Sequence, residues 1–120
     1  MRFILLILLL ISSLYAETSY EKGKKLYVNK TCYSCHGHKA EGMHVYPYLA
    51  NRSKGYLTYK LKRFRDKKAD TQQQEMMITF AVSLSDEDID NLTTFFQDYV
   101  DDDLAEKYDD SYETYGDGGS

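Results

Sequence analysis

Cys32-Tyr33-Ser34-Cys35-His36 is a C-x-x-C-H pentapeptide, and it concentrates most of the chemistry this sequence offers. The spacing is the one that attaches haem covalently. Both thiols add to the vinyl groups of one porphyrin, and two intervening residues let the sulfurs reach its edge. The adjacent imidazole then lies under the ring, where it can bind iron. Other uses of a cysteine pair fit less well. A thioredoxin-like redox dithiol normally sits beside a βαβ pattern, and no such pattern is present. A zinc site needs more ligands at matching spacing, and there is no second cysteine pair. A disulfide between Cys32 and Cys35 would close too small a loop to stabilise a domain.

An iron held by one histidine has a second axial position to fill. His38, His44 and Met43 follow the pentapeptide in the same loop. His38 is too near His36 in sequence to reach the opposite face of a ring easily, and both spare histidines also read as solvated side chains. Met76-Met77 lies forty residues beyond His36 and is better placed to come over that face. A neutral thioether prefers ferrous iron, so Met/His ligation raises the potential. Methionine is also ordinary core filler. With two adjacent methionines, one ligand and one packing residue is the natural division.

The rest of the 120-residue chain must position these groups. Arg2, an unbroken apolar run from Phe3 to Ile11 and the small residue Ala16 read as a secretory signal peptide over residues 1–16, with cleavage after Ala16. The run is too short to span a bilayer permanently, so no stable membrane insertion is expected. Residues 101–120 are rich in Asp, Tyr and Gly with little aliphatic content, and are expected to stay disordered. That leaves a single domain over residues 17–100, small enough for its own core to be marginal. Such domains recruit disulfides, metals or a bound cofactor, and two closely spaced cysteines leave the cofactor.

Charge is uneven along the chain. Residues 17–70 hold 13 Lys/Arg and 5 Asp/Glu, for a net +8, whereas residues 71–120 hold one Lys and 14 Asp/Glu, for −13. A basic front and an acidic back would make a dipole able to orient the protein toward a charged partner. Lys22, Lys24, Lys25 and Lys30 precede the pentapeptide and are expected to form a basic rim at the cofactor edge. An acidic mature protein addressed out of the cytoplasm argues against nucleic acid as a partner.

Helical signals dominate. Thr18-Ser19-Tyr20-Glu21 fits a capping box, and Gly23, Leu26 and Tyr27 fall on one side of the helix that follows. A glycine inside a helix costs roughly 1 kcal/mol relative to alanine, which predicts close approach of another helix at Gly23. Gly37 to Asn51 has no periodicity and reads as a loop wrapped around something. Ser53 caps a second helix reaching about Lys67, with Leu57, Leu61 and Phe64 on its buried face. Ala69 to Glu75 reads as polar loop. Ser85 opens a third helix with Asp86, Glu87 and Asp88 near its positive end, and Ile89, Leu92, Phe96 and Tyr99 form its buried stripe. The expectation is all-α, with three to four short helices around one covalently attached haem.

Taken in order, several segments resemble class I c-type cytochromes, especially the small bacterial single-haem carriers. They are Gly23-Lys24-Lys25-Leu26-Tyr27, Cys32 to Gly37, Tyr46-Pro47-Tyr48-Leu49-Ala50, Tyr56 to Asp66, Met76-Met77 and Leu84 to Ile89. The resemblance implies the cytochrome c fold and one haem c, with its iron, held by Cys32 and Cys35. It implies His36 as proximal ligand and the Pro47 carbonyl as acceptor of the bond from that imidazole's other nitrogen. It assigns the second axial position to Met77, eight residues before the helix-opening Ser85, with Met76 as runner-up. Gly23 and Tyr27 correspond to positions crossing the last helix near Leu92 and Phe96. The function implied is one-electron transfer in the periplasm by a monomer that is not an enzyme. Its partners would be redox proteins such as a membrane oxidase, a reductase or a peroxidase of a respiratory chain. The rival reading is a haem-bearing binding or catalytic module with an open sixth site for gas or peroxide. A third is an electron-entry subunit of a periplasmic enzyme. The acidic tail has no counterpart in the family.

Overall fold

The structure, a computed structural model, describes residues 1, 3–4 and 16–102. Most of the apolar leader and the tail from residue 103 onward lie outside the described residues, and with them the expectations of a signal peptide and a disordered end. Five helices follow in order: α1 Ser19–Asn29, α2 Tyr33–His36, α3 Lys54–Arg65, α4 Gln72–Ala81 and α5 Asp86–Gln97. No strand occurs among the described residues; Met43 and Tyr46 form one isolated antiparallel bridge.

Each long helix opens on a hydroxyl that accepts a hydrogen bond from an otherwise unpaired amide. Thr18 accepts from the Glu21 amide at 3.2 Å, Ser53 from Tyr56 at 3.4 Å and Thr71 from Gln74 at 3.1 Å. At Ser85 the box is reciprocal. The Asp88 amide donates to the Ser85 hydroxyl at 3.0 Å, and the Ser85 amide donates to the Asp88 carboxylate at 3.1 Å. At α1 only the Thr18 half of the expected box forms.

The core is built on α1 crossing α5. A Cβ on Gly23 would stand 2.7 Å from Phe95 Cβ and nearer still to the Asn91 carbonyl, so the two backbones meet at a distance only glycine permits. Tyr27, one turn on, places its ring 5.5 Å from Phe95 and 5.6 Å from Phe96. Ile89, Leu92 and Phe96 are buried as expected, together with Asn91, Thr93 and Phe95. Tyr99 lies past the end of α5 and is half-buried, with its ring 5.7 Å from Phe95. The Thr93 hydroxyl is satisfied internally, donating to the Ile89 carbonyl at 2.7 Å. α3 lies against α5 through Leu57 and Phe64, and α4 packs on α3.

Two expectations are corrected. The helix count is five among the described residues because a single turn forms at Tyr33–His36 and because α4 begins at Gln72. The polar stretch Ala69–Glu75 is therefore loop only as far as the Thr71 cap. α4 buries Ala81 fully and Met77 and Ile78 in part, so its periodicity is faint in the sequence.

Among the described residues the charge halves also do not separate in space. Five ion pairs join the basic half to the acidic one: Lys22–Glu87 at 3.8 Å, Lys24–Asp102 at 3.3 Å, Lys39–Asp101 at 3.2 Å, Lys54–Asp90 at 2.6 Å and Arg65–Asp86 at 2.8 Å. Lys25 pairs with Glu17. The unevenness of the sequence is consumed largely inside the fold.

Candidate haem site

The pentapeptide is bent into shape by its own backbone. Thr31 adopts a left-handed conformation (φ 58°), which reverses the chain after α1. The Cys32 amide donates to the Tyr27 carbonyl at 3.0 Å, and the His36 amide to the Cys32 carbonyl at 3.0 Å. This single turn brings Cys32, Cys35 and His36 to one wall of a cavity of about 410 Å³. Gly37 then leaves at φ 91°, where a side chain would collide with the Glu41 carboxylate. The Gly37 carbonyl accepts the buried Tyr27 hydroxyl at 2.6 Å, which fastens the end of the motif to the α1–α5 pair.

Both cysteines are free thiols. Burial pushes the Cys32 thiol up to about 11, the opposite of the lowered value a redox dithiol needs. Among the described residues no three His, Cys, Asp or Glu side chains are grouped to hold a metal ion by themselves. The thioredoxin-like and zinc alternatives both lose support.

His36 is 6% exposed. Its Nδ1 lies 2.7 Å from the Pro47 carbonyl. A carbonyl can only accept, so Nδ1 carries the proton and donates. Burial holds the imidazole below its usual value, against the raising effect of that same carbonyl. The ring is therefore neutral, with its Nε2 lone pair left for a metal. Pro47 is held in place from the far side of the loop. Asn51, itself left-handed (φ 61°), donates from its amide to the Phe96 carbonyl at 2.6 Å and from its side chain to the Tyr99 carbonyl at 2.9 Å. The 37–51 loop is thus pinned to the last turn of α5.

α4 also contributes to the cavity, and both Met76 and Met77 line the space, as do Leu57, Leu61, Phe64, Phe80 and Phe96. Met76 is 51% exposed, whereas Met77 is half-buried and packs on the core. His38, His44 and Met43 do not line the cavity. All three are exposed, and His38 stacks on Tyr33 at 4.8 Å. Of the expected basic rim, only Lys30 reaches the cavity wall.

Sequence reasoning missed Arg52. Its guanidinium lies between the faces of Tyr48 and Tyr56, 4.9 and 4.8 Å from the ring centroids, and it lines the cavity. The signal was the four-residue spacing Tyr48, Arg52, Tyr56. Thr71, Gln73 and Gln74 also line the cavity and were hidden in the stretch read as loop.

The residues present fit a haem. Two free thiols and a neutral, oriented imidazole stand on one wall, a thioether pair on another, and aliphatic and aromatic side chains between. Residues 20–99 match the family model for cytochrome c. The chain belongs to the cytochrome c family. Cytochrome c-554(548) of Halomonas halodenitrificans (strain ATCC 12084 / NCIMB 8669) is 34% identical over 67 residues, covering 55% of this chain and 81% of that protein. As a cytochrome c, the chain carries covalently bound haem c with its iron and serves as a haem-based electron carrier. Its all-α fold is the cytochrome c fold. No helix among the described residues is long and apolar enough to cross a membrane.

Proposed function

We propose that this cytochrome c is a periplasmic one-electron carrier whose haem is attached through Cys32 and Cys35 and whose iron is held by His36 and Met77. Residues 17–100 form the haem domain, residues 1–16 a cleaved export signal, and residues 101–120 an appendage outside the electron path. The observation that carries the ligand assignment is the pairing of His36 with Pro47 opposite a half-buried Met77. The carbonyl fixes which imidazole nitrogen is protonated and the plane of the ring. Met77 is held by packing, while the more exposed Met76 is not.

When bound, haem c supplies a metal centre that cycles between ferric and ferrous states. His36 and Met77 would hold the iron between them, which would leave little to reorganise on transfer and no place for a substrate at the metal. His36 stays neutral because it is buried, while the Pro47 carbonyl fixes Nδ1 as the nitrogen that carries the proton. Leu57, Leu61, Phe64 and Phe96 line the cavity and would exclude water from the cofactor, and a lowered local polarity together with a thioether ligand would favour the ferrous state.

The test is an optical spectrum of the purified holoprotein, oxidised and reduced. A weak long-wavelength charge-transfer band in the oxidised form marks iron–thioether bonding. Its absence, together with ready binding of carbon monoxide by the reduced form, would replace the carrier reading with an open-site module.

A further inference from the structure

Nineteen acidic residues against fifteen basic ones give the chain a net charge of −4, yet no residue lining the haem cavity is acidic. Three are cations: Lys30, Arg52 and Lys60. Haem c brings two carboxylates of its own, which offset most of that charge at the mouth. The surplus lies further out, on α3.

Tyr56, Lys60 and Arg63 recur at four- and three-residue spacing along α3, with Tyr59 beside Lys60 and four residues before Arg63, and Lys67 follows just beyond the helix, which makes a single strip. Tyr56 and Lys60 line the cavity, so the strip starts at its mouth. Tyr59 is 58% exposed and the Arg63 guanidinium sits 5.8 Å from its ring centroid. Asp70 is the one described carboxylate paired with the strip, 2.8 Å from Arg63 and 4.0 Å from Lys60. Asp66, at the C-cap of α3, pairs with none of it, and Lys67 has no described acid within ion-pair distance. With Arg52 the strip sets four cations against one paired carboxylate. The lysines of α1 offer no such surplus, because Lys22, Lys24 and Lys25 are each matched by Glu87, Asp102 and Glu17.

We propose that this strip of α3, rather than the lysine-bearing face of α1, is where an acidic redox protein docks to exchange electrons with the cofactor. The inference rests on the carrier reading above and names its docking face. The exposed rings of Tyr56 and Tyr59, with the half-buried guanidinium groups of Arg52 and Arg63 beside them, supply the short-range contact. The surplus charge supplies attraction that water and salt can release, as a shuttle requires. The transfer itself moves one electron from the ferrous carrier to the partner's oxidised metal centre. No bond forms or breaks, and no proton moves.

The experiment is stopped-flow oxidation of the reduced full-length holoprotein by an oxidised, acidic blue-copper protein across a salt series. The double variant K60E/R63E should lower the second-order rate constant tenfold or more at low ionic strength. The gap should close as the Debye length contracts to about 8 Å near 0.15 M. The double variant K22E/K24E should stay within twofold of the parent. R63E/K67E, in which neither residue lines the cavity, carries the test if K60E/R63E fails to mature. Optical spectra of every variant report ligation separately, so a lost charge-transfer band in the parent counts against the ligand assignment and not against the docking face. The docking face is overturned if K22E/K24E is the slower variant, if the α3 variants match the parent, or if the parent rate does not fall with salt. It is likewise overturned if K60E/R63E loses only co-sedimentation with phosphatidylglycerol vesicles while transfer is unchanged, since the strip would then serve a lipid surface.

Discussion

The Tyr27 hydroxyl donates to the Gly37 carbonyl at 2.6 Å, across a gap of ten residues and with both groups buried. One bond thereby joins the helix that carries the core to the turn that carries Cys32, Cys35 and His36. Burial raises the Tyr27 hydroxyl well above its ordinary value, so it remains a donor through the alkaline range. Tyr27→Phe leaves a buried carbonyl without its partner and should cost about 1–3 kcal/mol. Guanidinium titration of the holoprotein checks this: the midpoint should fall while the slope stays constant.

Two helical glycines should respond in opposite directions to the same substitution. Gly23→Ala forces a methyl into the Asn91 backbone and Phe95 and should destabilise by at least about 1–3 kcal/mol through overpacking. Gly55, in the first turn of α3, has only the Ser53 hydroxyl nearby, 3.8 Å from a built Cβ. Gly55→Ala should stabilise by about 0.4–1 kcal/mol, mostly by restricting the unfolded chain. Thermal melts of both variants settle the sign; equal effects would mean that the α1–α5 approach is looser than described.

The neighbouring methionines should separate spectroscopically. Met77→Ala is expected to abolish the iron–thioether band, lower the midpoint potential and admit cyanide to the oxidised iron. Met76→Ala, at a half-exposed position, should leave the band in place and soften packing slightly. The reverse pattern moves the ligand to Met76.

Acid should weaken the α3–α5 contact through one exposed group in particular. A hydrogen bond from Arg65 holds the Asp86 carboxyl below the usual carboxylate range, with Coulombic attraction to Arg65 and Lys62 adding to it. A depressed folded value means that the stabilisation is present above the ordinary carboxylate pKa and disappears as pH falls through the folded one. Asp86→Asn should therefore lower stability modestly at pH 6 and hardly at all below pH 3, flattening the acid limb of a urea-midpoint profile. The effect is small because the pair faces water. A steeper acid limb in the variant would reverse the sign.

Much of this arrangement was legible because helices and haem attachment leave local marks. Thr18, Ser53 and Ser85 announced three helix starts, and Gly23 announced a crossing that α5 occupies. The pentapeptide marked its cavity wall because two thiols and an imidazole at that spacing cannot avoid sharing one face of a turn. α4 was not legible for a physical reason. Met76 and Phe80 face a cofactor space and Met77 is shared between that space and the core, so the apolar residues that would mark a buried stripe are spread toward a partner the sequence does not contain. The charge reading failed for another reason. A linear count cannot show that Glu87, Asp90 and Asp86 fold back onto Lys22, Lys54 and Arg65. Arg52 escaped because its neighbours are aromatic faces, and an isolated cation between tyrosines has no simple motif.

The packing of the helices is unequal, and that inequality bears on how the holoprotein is put together. α1 and α5 embrace along their length, α3 leans on α5, and α4 leans chiefly on α3. The fold therefore has a closely packed frame on one side and, on the other, a leaf joined along a single seam. A haem held by Cys32 and Cys35 would lie between that frame and the leaf bearing Met76 and Met77, which is the less firmly packed wall of the cavity. Closing that leaf onto the ring completes the interior. The cofactor would then be the keystone of the α4 side of the domain as well as its redox centre.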